Sequence, residues 1–522
     1  MEKDAVERSC HQGQTQVNGS IAALEKHRII ENDGACTAVE KQMAPIDHHH
    51  QQQQQQQSKG LTSLSHGTTT ALSNVEFVDA KKEGDRKKQQ ESRRTFEDQL
   101  KPFNSIPGPW PSLPLIGTGW QYFYLVGRYD LNRLHEAHID RYRSYGPIVR
   151  EEYQWGRSIV HLYDPDDFEA VARAQGRCPV RPPNEFVSTL RQSKPDMYPN
   201  VGFANLNGPE WQRLRAKLAP AIMKLSTIHE SMAGQNEVCD DFLEYLWAVR
   251  RPETNTVENL QEAAYRLALE SICLMCLDSR IGSFPDSSPY DSGISDEDEE
   301  GEEEQNEAVK DGEKLIEATK LMFDSFNKLY YGLPFWKYFA TSAYSSLDQA
   351  ETTIYELASK YIDREMDLIL NGEEHYDSNE SVLKTLLKKT KADPKELSKE
   401  EVKVTIMDFI IGGIFSVSNS LVYLFYHLAA NPDVQEKLYR EIESVIGCSS
   451  TSFCSSPEDE DDQRSSAHHH LVKEHVTSGQ LARMPYLKAC VSESFRLNCP
   501  VPGIMRVTTE PMVLSGYHIP AN

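Results

Sequence analysis

The sequence predicts a mainly α-helical protein with small β-sheets. From Pro209 onward, apolar residues recur mostly at helical spacing. Runs that suit strands are short and come in pairs. Strands and helices do not alternate along the chain, and neither a G-x-G-x-x-G motif nor a phosphate-binding loop is present. These features together indicate a helix-rich fold rather than a doubly wound α/β domain.

The net charge is uneven along the chain. The 522 residues carry a formal charge of −24, which argues against a nucleic-acid partner because phosphate contacts need clustered Lys and Arg. Residues 283–313 hold 13 acids against one base, and residues 457–475 hold six acids against two bases. We therefore predict two solvated acidic insertions, at 283–313 and 448–475, inside one domain.

The first hundred residues have a low-complexity composition. His48–His50 precede a glutamine run at 51–57, and few apolar residues are available for a core. We expect residues 1–102 to be a disordered N-terminal region. The start of the chain resembles neither a secretory signal nor a mitochondrial presequence. For the histidine runs here and at His468–His470, an unstructured tract is favoured over a metal site.

The patterned domain is predicted to begin near residue 103. The prolines of Ile106–Pro109 favour an extended entry. A helix fits Tyr129–Tyr145, and strands fit Ile148–Tyr153 and Ser158–Tyr163 with a glycine turn between them. Asp164 and Pro165 then open a helix that runs to about Ala174.

The next helices follow from periodicity alone. A Gly-Pro-aromatic break at Tyr330–Phe339 separates two of them. Cys273 and Cys276 stand on an apolar helix, where buried, unreactive thiols are favoured over a metal or redox pair. The predicted helices are Pro209–Ala221, Glu230–Arg250, Leu260–Leu277, Lys310–Leu329, Ser345–Leu370 and Ser381–Thr390.

The most apolar segment is Val404–Ala430, in which Asp408 and His427 are the only ionisable residues. It is long enough to span a bilayer. Amphipathic helices on both sides favour the other explanation, the central helix of a large domain. Two further helices, Pro432–Ile446 and Tyr486–Leu497, and a strand hairpin within 511–522 complete the prediction.

Three local arrangements suggest chemistry. Glu493 and Arg496 lie one helical turn apart and can pair, although a surface ion pair would look the same. Trp211 and Arg215 also lie one turn apart, so an indole and a guanidinium can face one ligand, unless the Trp belongs to the core. Adjacent glycines in Gly412–Ser416 weaken the apolar helix, which indicates a bend, a close approach or a helix crossing.

The three arrangements, in the order in which they follow one another along the chain, resemble those of the cytochrome P-450 haem-thiolate monooxygenases. The resemblance covers residues 103–522. The blocks Met484–Cys490 and Tyr330–Phe339 resemble the mitochondrial clan of that family. Within the clan, Arg181–Pro183 and Arg191–Asp196, together with the second of those blocks, are most similar to arthropod ecdysteroid hydroxylases. The resemblance implies the cytochrome P-450 fold.

The resemblance implies residue roles around a haem b cofactor. Trp211 and Arg215 would bind one haem propionate, and Arg506 the other. Glu493 and Arg496 would form a buried ion-pair network behind the haem.

Three further positions carry roles implied by the family. Gly413 and Ser416 would line the oxygen-binding kink as the catalytic positions, and Lys488 would contact an acidic ferredoxin. The chain departs from the family at Phe415, where an acid is usual, so that proton delivery would depend on Ser416 and water. It departs again at Ser492, where the clan usually has a second lysine.

The implied function is a haem-dependent monooxygenase that hydroxylates a steroid, ecdysone to 20-hydroxyecdysone. Its partners would be a ferredoxin-type electron donor, the ecdysteroid and O₂, without nucleic acid. The implied location is the matrix side of the mitochondrial inner membrane rather than the endoplasmic reticulum, and peripheral membrane association is left open.

The family's axial cysteine is expected beyond Asn522. None of the ten cysteines, Cys499 included, stands in the F-x-x-G-x-R-x-C-x-G context of the haem loop. No metal ligand is therefore expected within these 522 residues. The alternative is a catalytically inactive, truncated protein of this fold that acts as a binding or decoy module.

Overall fold

The described part of the chain begins at Leu100. The structure is a computed structural model, and it describes residues 100–522 except for 124–125, 154–155, 183, 224–228, 286–298, 373–380, 393–396, 448–474 and 502.

Helices dominate the described residues, and two small sheets accompany them, so the predicted mainly α fold is confirmed. The helices are α1 (Leu134–Tyr145), α2 (Pro165–Ala174), α3 (Glu185–Gln192), α4 (Gly208–Ile222), α5 (Met232–Val249), α6 (Leu260–Leu277), α7 (Glu299–Tyr331), α8 (Ser342–Asn371), α9 (Val382–Ala392), α10 (Lys399–Ala430), α11 (Pro432–Ile446), α12 (Ser478–Ala482) and α13 (Pro485–Leu497).

Both sheets are antiparallel pairs. Strands β1 (Ile148–Tyr153) and β2 (Arg157–Leu162) pair along their full lengths. Strands β3 (Met512–Leu514) and β4 (Tyr517–Ile519) are joined by Ser515 and Gly516, both at positive φ. A two-residue turn with two positive φ angles matches the twist of the strands it joins. These are the strand pairs that the sequence predicts, with the second strand of the first pair shifted by one residue.

Helix α10 is the centre of the helical part. Ser398 and Glu401 form a capping box at its start, which satisfies two backbone N–H groups that the helix cannot pair. Helix α6 packs along it, and α7, α8 and α9 contact it as well. The side chains of Ile406, Ile410 and Ile414 are buried in this core.

By length and composition, α10 is the one described helix that could cross a membrane. The half of the helix up to Ile414 packs among its neighbours, as the explanation of a central core helix expects. Of its most apolar stretch, 22% is buried. The core that it shares with α3, α4 and α6–α9 is the largest apolar cluster of the described residues.

The first acidic insertion is partly helical. We expected a loop over 283–313, but α7 begins at Glu299 and includes the last acids of that run. Glutamate is a good helix former, and an existing helix is extended at little cost once nucleated. Residues 286–298 of this insertion and 448–474 of the second lie outside the described residues. Residues 1–99 of the predicted N-terminal region do so too.

Helix α3 was not predicted. It has eight residues and follows the proline pair at 182–183, so its apolar spacing covers only two turns. Its buried Phe186, Val187 and Leu190 nevertheless join the main core. The short helix α12 was not predicted either. The predicted helices are present, and Leu260–Leu277 and Pro432–Ile446 are confirmed at both ends. The largest shifts are at the starts of α1, α7 and α10, which begin at Leu134, Glu299 and Lys399.

Candidate functional site

Trp211 stands in the first turn of α4 with its indole N–H unused. The ring stacks on Phe203, with centroids 5.9 Å apart, and the guanidinium of Arg181 lies 5.8 Å from its centroid. The Nε1 atom is buried and has no hydrogen-bond partner among the described residues. A buried, unpaired N–H costs free energy in the isolated protein, so this atom points to a ligand with an acceptor oxygen.

Arg181 and Arg506 come from distant parts of the chain and face each other. The Val507 N–H donates to the Val180 carbonyl over 2.9 Å, and the Gln175 amide donates to the Val507 carbonyl over 2.9 Å. Burial lowers the pKa of Arg181, and the positive charge of Arg506 lowers it further. Two guanidiniums that repel each other need an anion between or beside them to become favourable.

Arg215 follows Trp211 by one helical turn. Its Nη2 atom lies 3.1 Å from the Met223 sulfur, a weak acceptor. Among the described residues, neither Arg215 nor Arg181 nor Arg506 makes an ion pair with a carboxylate. Trp211, Arg181, Arg215 and Arg506 are called the cationic cradle below. Its donor groups have the chemistry that binds carboxylates, such as the two propionates of haem.

Sequence reasoning named three members of the cradle and gave Arg181 no role. The backbone N–H of Arg181 donates to the Asn207 side chain over 2.9 Å, and its guanidinium donates to the carbonyl of Leu206 over 3.1 Å. The available signal was an arginine between prolines, in an extended segment that no carboxylate accompanies.

The two glycines of α10 face different surroundings. A Cβ on Gly413 would lie 2.6 Å from Cγ1 of Ile272 on α6, whereas a Cβ on Gly412 would meet nothing within 4 Å. The Ser416 hydroxyl lies one turn after Gly412 and donates to its carbonyl over 2.8 Å. Gly412 and Ser416 therefore form the open face of α10, and Gly413 lies at the crossing with α6.

Phe415 points away from this face toward α7. Its ring stacks on Phe323, with the centroids 4.0 Å apart and the planes 23° apart. Where the family usually has an acid, this chain therefore has an aromatic contact between two helices.

Glu493 and Arg496 form the predicted ion pair on α13, with Nη2 and Oε1 2.6 Å apart. Both side chains are exposed in the described part of the chain, so the expectation of a buried network is not met there. Because water screens exposed pairs, this one contributes little to stability.

Lys488, on the same helix, is exposed and available to a partner. The first turn of α13 is held by the Glu441 carboxylate, which accepts the backbone N–H groups of Tyr486 and Leu487 over 2.9 and 2.8 Å. A carboxylate at a helix N-terminus is a favourable arrangement, and it fixes the helix that presents Lys488.

The thiols of Cys273 and Cys276 are fully buried. Burial raises the pKa of Cys276 to about 12 and raises that of Cys273 as well, with the Glu270 carboxylate adding to the effect there. Such thiols stay protonated, as expected for core cysteines.

A buried ion cluster lies between α3, α8 and α10. The Arg191 guanidinium contacts the Glu351 carboxylate at 3.2 Å and the Asp408 carboxylate at 2.8 Å. The Tyr198 hydroxyl donates to Glu351 over 2.9 Å. We call Arg191, Glu351 and Asp408 the α3 triad. The sequence gave no sign of it, because its members are far apart in the chain and belong to elements whose packing periodicity does not predict.

Comparison with known proteins shows the family of the chain. The family model for cytochrome P450 matches residues 107–522. Ecdysone 20-monooxygenase of Drosophila melanogaster is 32% identical over 416 residues, covering 80% of this chain and 68% of that protein.

Two relatives named as mitochondrial are more distant. Cytochrome P450 302a1, mitochondrial, of D. melanogaster is 28% identical, over 80% of this chain and 74% of that protein. Cytochrome P450 12b1, mitochondrial, of Drosophila acanthoptera is 27% identical, over 81% and 69%. With a family model that spans the helical fold, the cationic cradle and the open face of α10, the chain belongs to the cytochrome P450 family.

Proposed function

We propose that this protein is a haem-dependent monooxygenase that hydroxylates an ecdysteroid, ecdysone at carbon 20 in particular. The observation that carries the haem part is the cationic cradle, with its buried, unpartnered indole N–H and three arginines that no described carboxylate neutralises. The family of the chain supports the reaction class.

The cradle would hold haem b through its propionates. Trp211 and Arg215 would bind one propionate, and Arg506 and Arg181 the other, by charge-assisted hydrogen bonds. Once the carboxylates are in place, the repulsion between Arg181 and Arg506 becomes attraction to a shared anion. Bound haem supplies the activation of O₂ and the insertion of one oxygen atom into a C–H bond.

The open face of α10 would border the reacting centre. With no side chain at Gly412, small molecules can approach the backbone there. The Ser416 hydroxyl can turn from the Gly412 carbonyl to hold a water or pass a proton. Gly413 would serve indirectly, by letting α6 support this part of α10.

Proton supply would rest on Ser416 and water, because the Phe415 ring has no proton to transfer and is engaged with Phe323. A single hydroxyl can orient a proton-donating water, but each transferred proton must then be replaced from solvent. We therefore propose that loss of the Ser416 hydroxyl slows hydroxylation more than it would if position 415 carried an acid.

Electrons would come from a ferredoxin in mitochondria. Lys488 is exposed on a helix that Glu441 holds in place, so its charge can meet an acidic partner. Two relatives that carry the word mitochondrial in their names support this compartment. The exposed pair Glu493–Arg496 would orient the end of the same helix.

Substrate identity rests on the 32% identical relative, whose name states ecdysone 20-monooxygenase. The decisive experiment uses the protein in a form that includes the axial cysteine ligand, loads it with haem, and incubates it with ecdysone, NADPH, a mitochondrial ferredoxin and its reductase. Products are followed by mass spectrometry. We expect one added oxygen, at carbon 20. Electron transfer without any hydroxylated ecdysteroid would overturn the substrate, and failure of the form with the axial cysteine to bind haem would overturn the reaction class.

A further inference from the structure

The three residues of the α3 triad have no part in the proposed chemistry. Arg191 is 4% exposed, and its guanidinium is shared by two carboxylates, Glu351 on α8 and Asp408 on α10. Burying three charges costs several kcal/mol per ion unless each is well paired. Such an arrangement persists when it fixes elements that apolar packing alone would leave free to shift.

Asp408 has a second contact that leads away from the triad. Its carboxylate accepts the backbone N–H of Phe203. The neighbouring Gly202 has φ +84°, and a Cβ there would lie 2.5 Å from Oδ2 of Asp408. The chain therefore approaches this carboxylate as closely as only glycine allows.

Phe203 connects this carboxylate to the cradle. Its ring stacks on Trp211 at 5.9 Å and meets Phe409 edge-on at 6.0 Å. One continuous set of contacts thus runs from Arg191 through Asp408 and Phe203 to the indole whose N–H has no partner among the described residues.

The same carboxylate stands on the helix with the open face. Asp408 precedes Gly412 by four residues and Ser416 by eight, so the three follow one stripe of α10. At a rise of about 1.5 Å per residue, Asp408 and Ser416 are about 12 Å apart along the axis. Asp408 is therefore the point at which the segment before Trp211 is attached to the helix that carries Ser416.

We propose that Arg191 and Asp408 are positioning residues that fix Trp211 of the cationic cradle relative to the open face of α10. This inference rests on the proposed haem site. Without the Asp408 charge, the Phe203 N–H and the Arg191 guanidinium lose their common acceptor, and Phe203 no longer holds the Trp211 ring in one orientation.

Burial and ionisation of the triad are consistent with this role. Burial raises the pKa of Asp408, while the Arg191 charge and hydrogen bond oppose that rise. Burial alone would lower the pKa of Arg191, but the Asp408 and Glu351 carboxylates raise it overall. The groups that face the pair from α8 and from the α3–α4 connection are Glu351 and Tyr198.

The test measures how fast haem leaves the haem-loaded protein for an excess of apomyoglobin, in four forms: wild type, Asp408→Asn, Trp211→Phe and the double variant. Trp211→Phe keeps the stacking on Phe203 and removes the indole N–H. If Asp408 acts through Trp211, each single change accelerates release about tenfold and the double variant releases no faster than the faster single. Effects that multiply in the double variant would overturn the proposal.

Arg141→Ala is the matched control for general destabilisation. Arg141 is also almost fully buried, and it pairs with the buried Glu151 over 3.0 Å in a different part of the fold. We expect its loss to lower the melting temperature without accelerating haem release. If Arg141→Ala accelerates haem release as much as Asp408→Asn does, at an equal loss of melting temperature, the proposal is overturned.

Arg191→Lys covers the case in which the stronger variants do not fold. It keeps the charge but loses the fork that serves two carboxylates, so release should be intermediate between wild type and Asp408→Asn. Wild-type release in Arg191→Lys would count against the proposal. If Trp211→Phe alone does not alter haem release, the assignment of the cationic cradle is wrong and both proposals fall. If Trp211→Phe accelerates release but its effect multiplies with that of Asp408→Asn in the double variant, only this inference is overturned.

Discussion

At the scale of single residues, the cationic cradle makes opposite demands on the haem-free and haem-loaded protein. Burial is the main cause of the lowered pKa of Arg181, and repulsion by the positive charge of Arg506 lowers it further. Their proximity is therefore unfavourable until an anion binds. Residues that cost stability in the absence of a ligand and repay it on binding are expected at functional sites.

We expect Arg506→Ala to stabilise the haem-free protein and to weaken haem binding. Removing one charge relieves the repulsion on Arg181 but leaves one propionate with fewer donors. Thermal unfolding of both forms and a haem titration measure the two effects. Arg177 is an exposed arginine four residues before Arg181, so Arg177→Ala should change neither the thermal stability nor the haem affinity. A loss of stability in both forms would indicate a structural role instead.

The Ser416 hydroxyl is expected to affect how efficiently NADPH is converted into hydroxylated product. Ser416→Ala should lower the product formed per NADPH consumed, by up to about 10²-fold if the hydroxyl orients the proton donor. Simultaneous assay of NADPH oxidation and hydroxylated ecdysteroid gives this ratio.

Ser420→Ala is the control for Ser416→Ala. Its hydroxyl donates to the Ser416 carbonyl over 2.6 Å, one turn farther along α10. The same fall in product per NADPH in this variant would show that helix distortion, not the Ser416 hydroxyl, is responsible.

At the scale of elements, α10 separates the roles of two adjacent glycines. Gly413→Ala would push a methyl group against Ile272 and should destabilise the fold by about 1–3 kcal/mol. Gly412→Ala meets no atom, so the better helix propensity of alanine should raise stability by up to about 1 kcal/mol. Denaturant unfolding of both variants measures this. Equal destabilisation would contradict the assignment of the two faces.

The sheet of β1 and β2 contains a buried carboxylate, Glu151, whose ionisation makes the stability of the fold depend on pH. Burial disfavours the Glu151 carboxylate, but the His161 hydrogen bond and the Arg141 charge outweigh it, so the pKa of Glu151 is lowered. Its ionised form therefore stabilises the fold above its unfolded value of about 4.3, and this contribution is lost as pH falls through the lower folded pKa.

Glu151→Gln should reduce the melting temperature at pH 7, because Arg141 is left buried without its counter-charge. It should also flatten the fall of melting temperature from about pH 5 to pH 3. Scanning calorimetry at several pH values measures both. Glu152→Gln, at a half-exposed neighbour, should keep the wild-type slope.

Sequence patterns predicted elements where the cause is local. The Pro at the start of α11 and the Ser515–Gly516 turn act within a few positions, so those boundaries could be read from the chain. The apolar segment predicted at Val404–Ala430 instead begins at Lys399, because the capping box of Ser398 and Glu401 was not recognised. Helix α3 and the start of α7 were missed. In α3 two turns give too little periodicity, and in α7 the acidic composition conceals good helix propensity.

The site was predictable only in part for the same reason. Trp211 and Arg215 share one helix, so their spacing reveals a common face. Arg181 joins them through the pairing of Val180 with Val507, a tertiary contact that no local pattern contains. The distinction between Gly412 and Gly413 likewise depends on where α6 crosses, which is set by packing of the whole core.

At the scale of the whole molecule, the first half of the apolar helix α10 is packed inside the protein, whereas Val417 and Tyr426 in its second half are exposed. Its buried isoleucines pack with α6, α8 and α9 in the main core. A bilayer cannot replace those neighbours without unfolding the domain. We therefore expect that α10 does not hold the protein in membranes washed with alkaline carbonate. Retention in the pellet, with α10 protected from protease, would contradict its place in the core.

The C-terminal sheet of β3 and β4 affects the order in which parts of the molecule can fold. Its apolar cluster joins Ile106 and Ile148 with Leu514 and Ile519. The Lys101 carbonyl accepts the His518 N–H over 2.9 Å. Contacts between such distant positions close the largest loops, and a chain that leaves the ribosome from its N-terminus makes them late. The helices around α10 can pack first, whereas Ile106 and Ile148 stay without these partners until β3 and β4 have been synthesised.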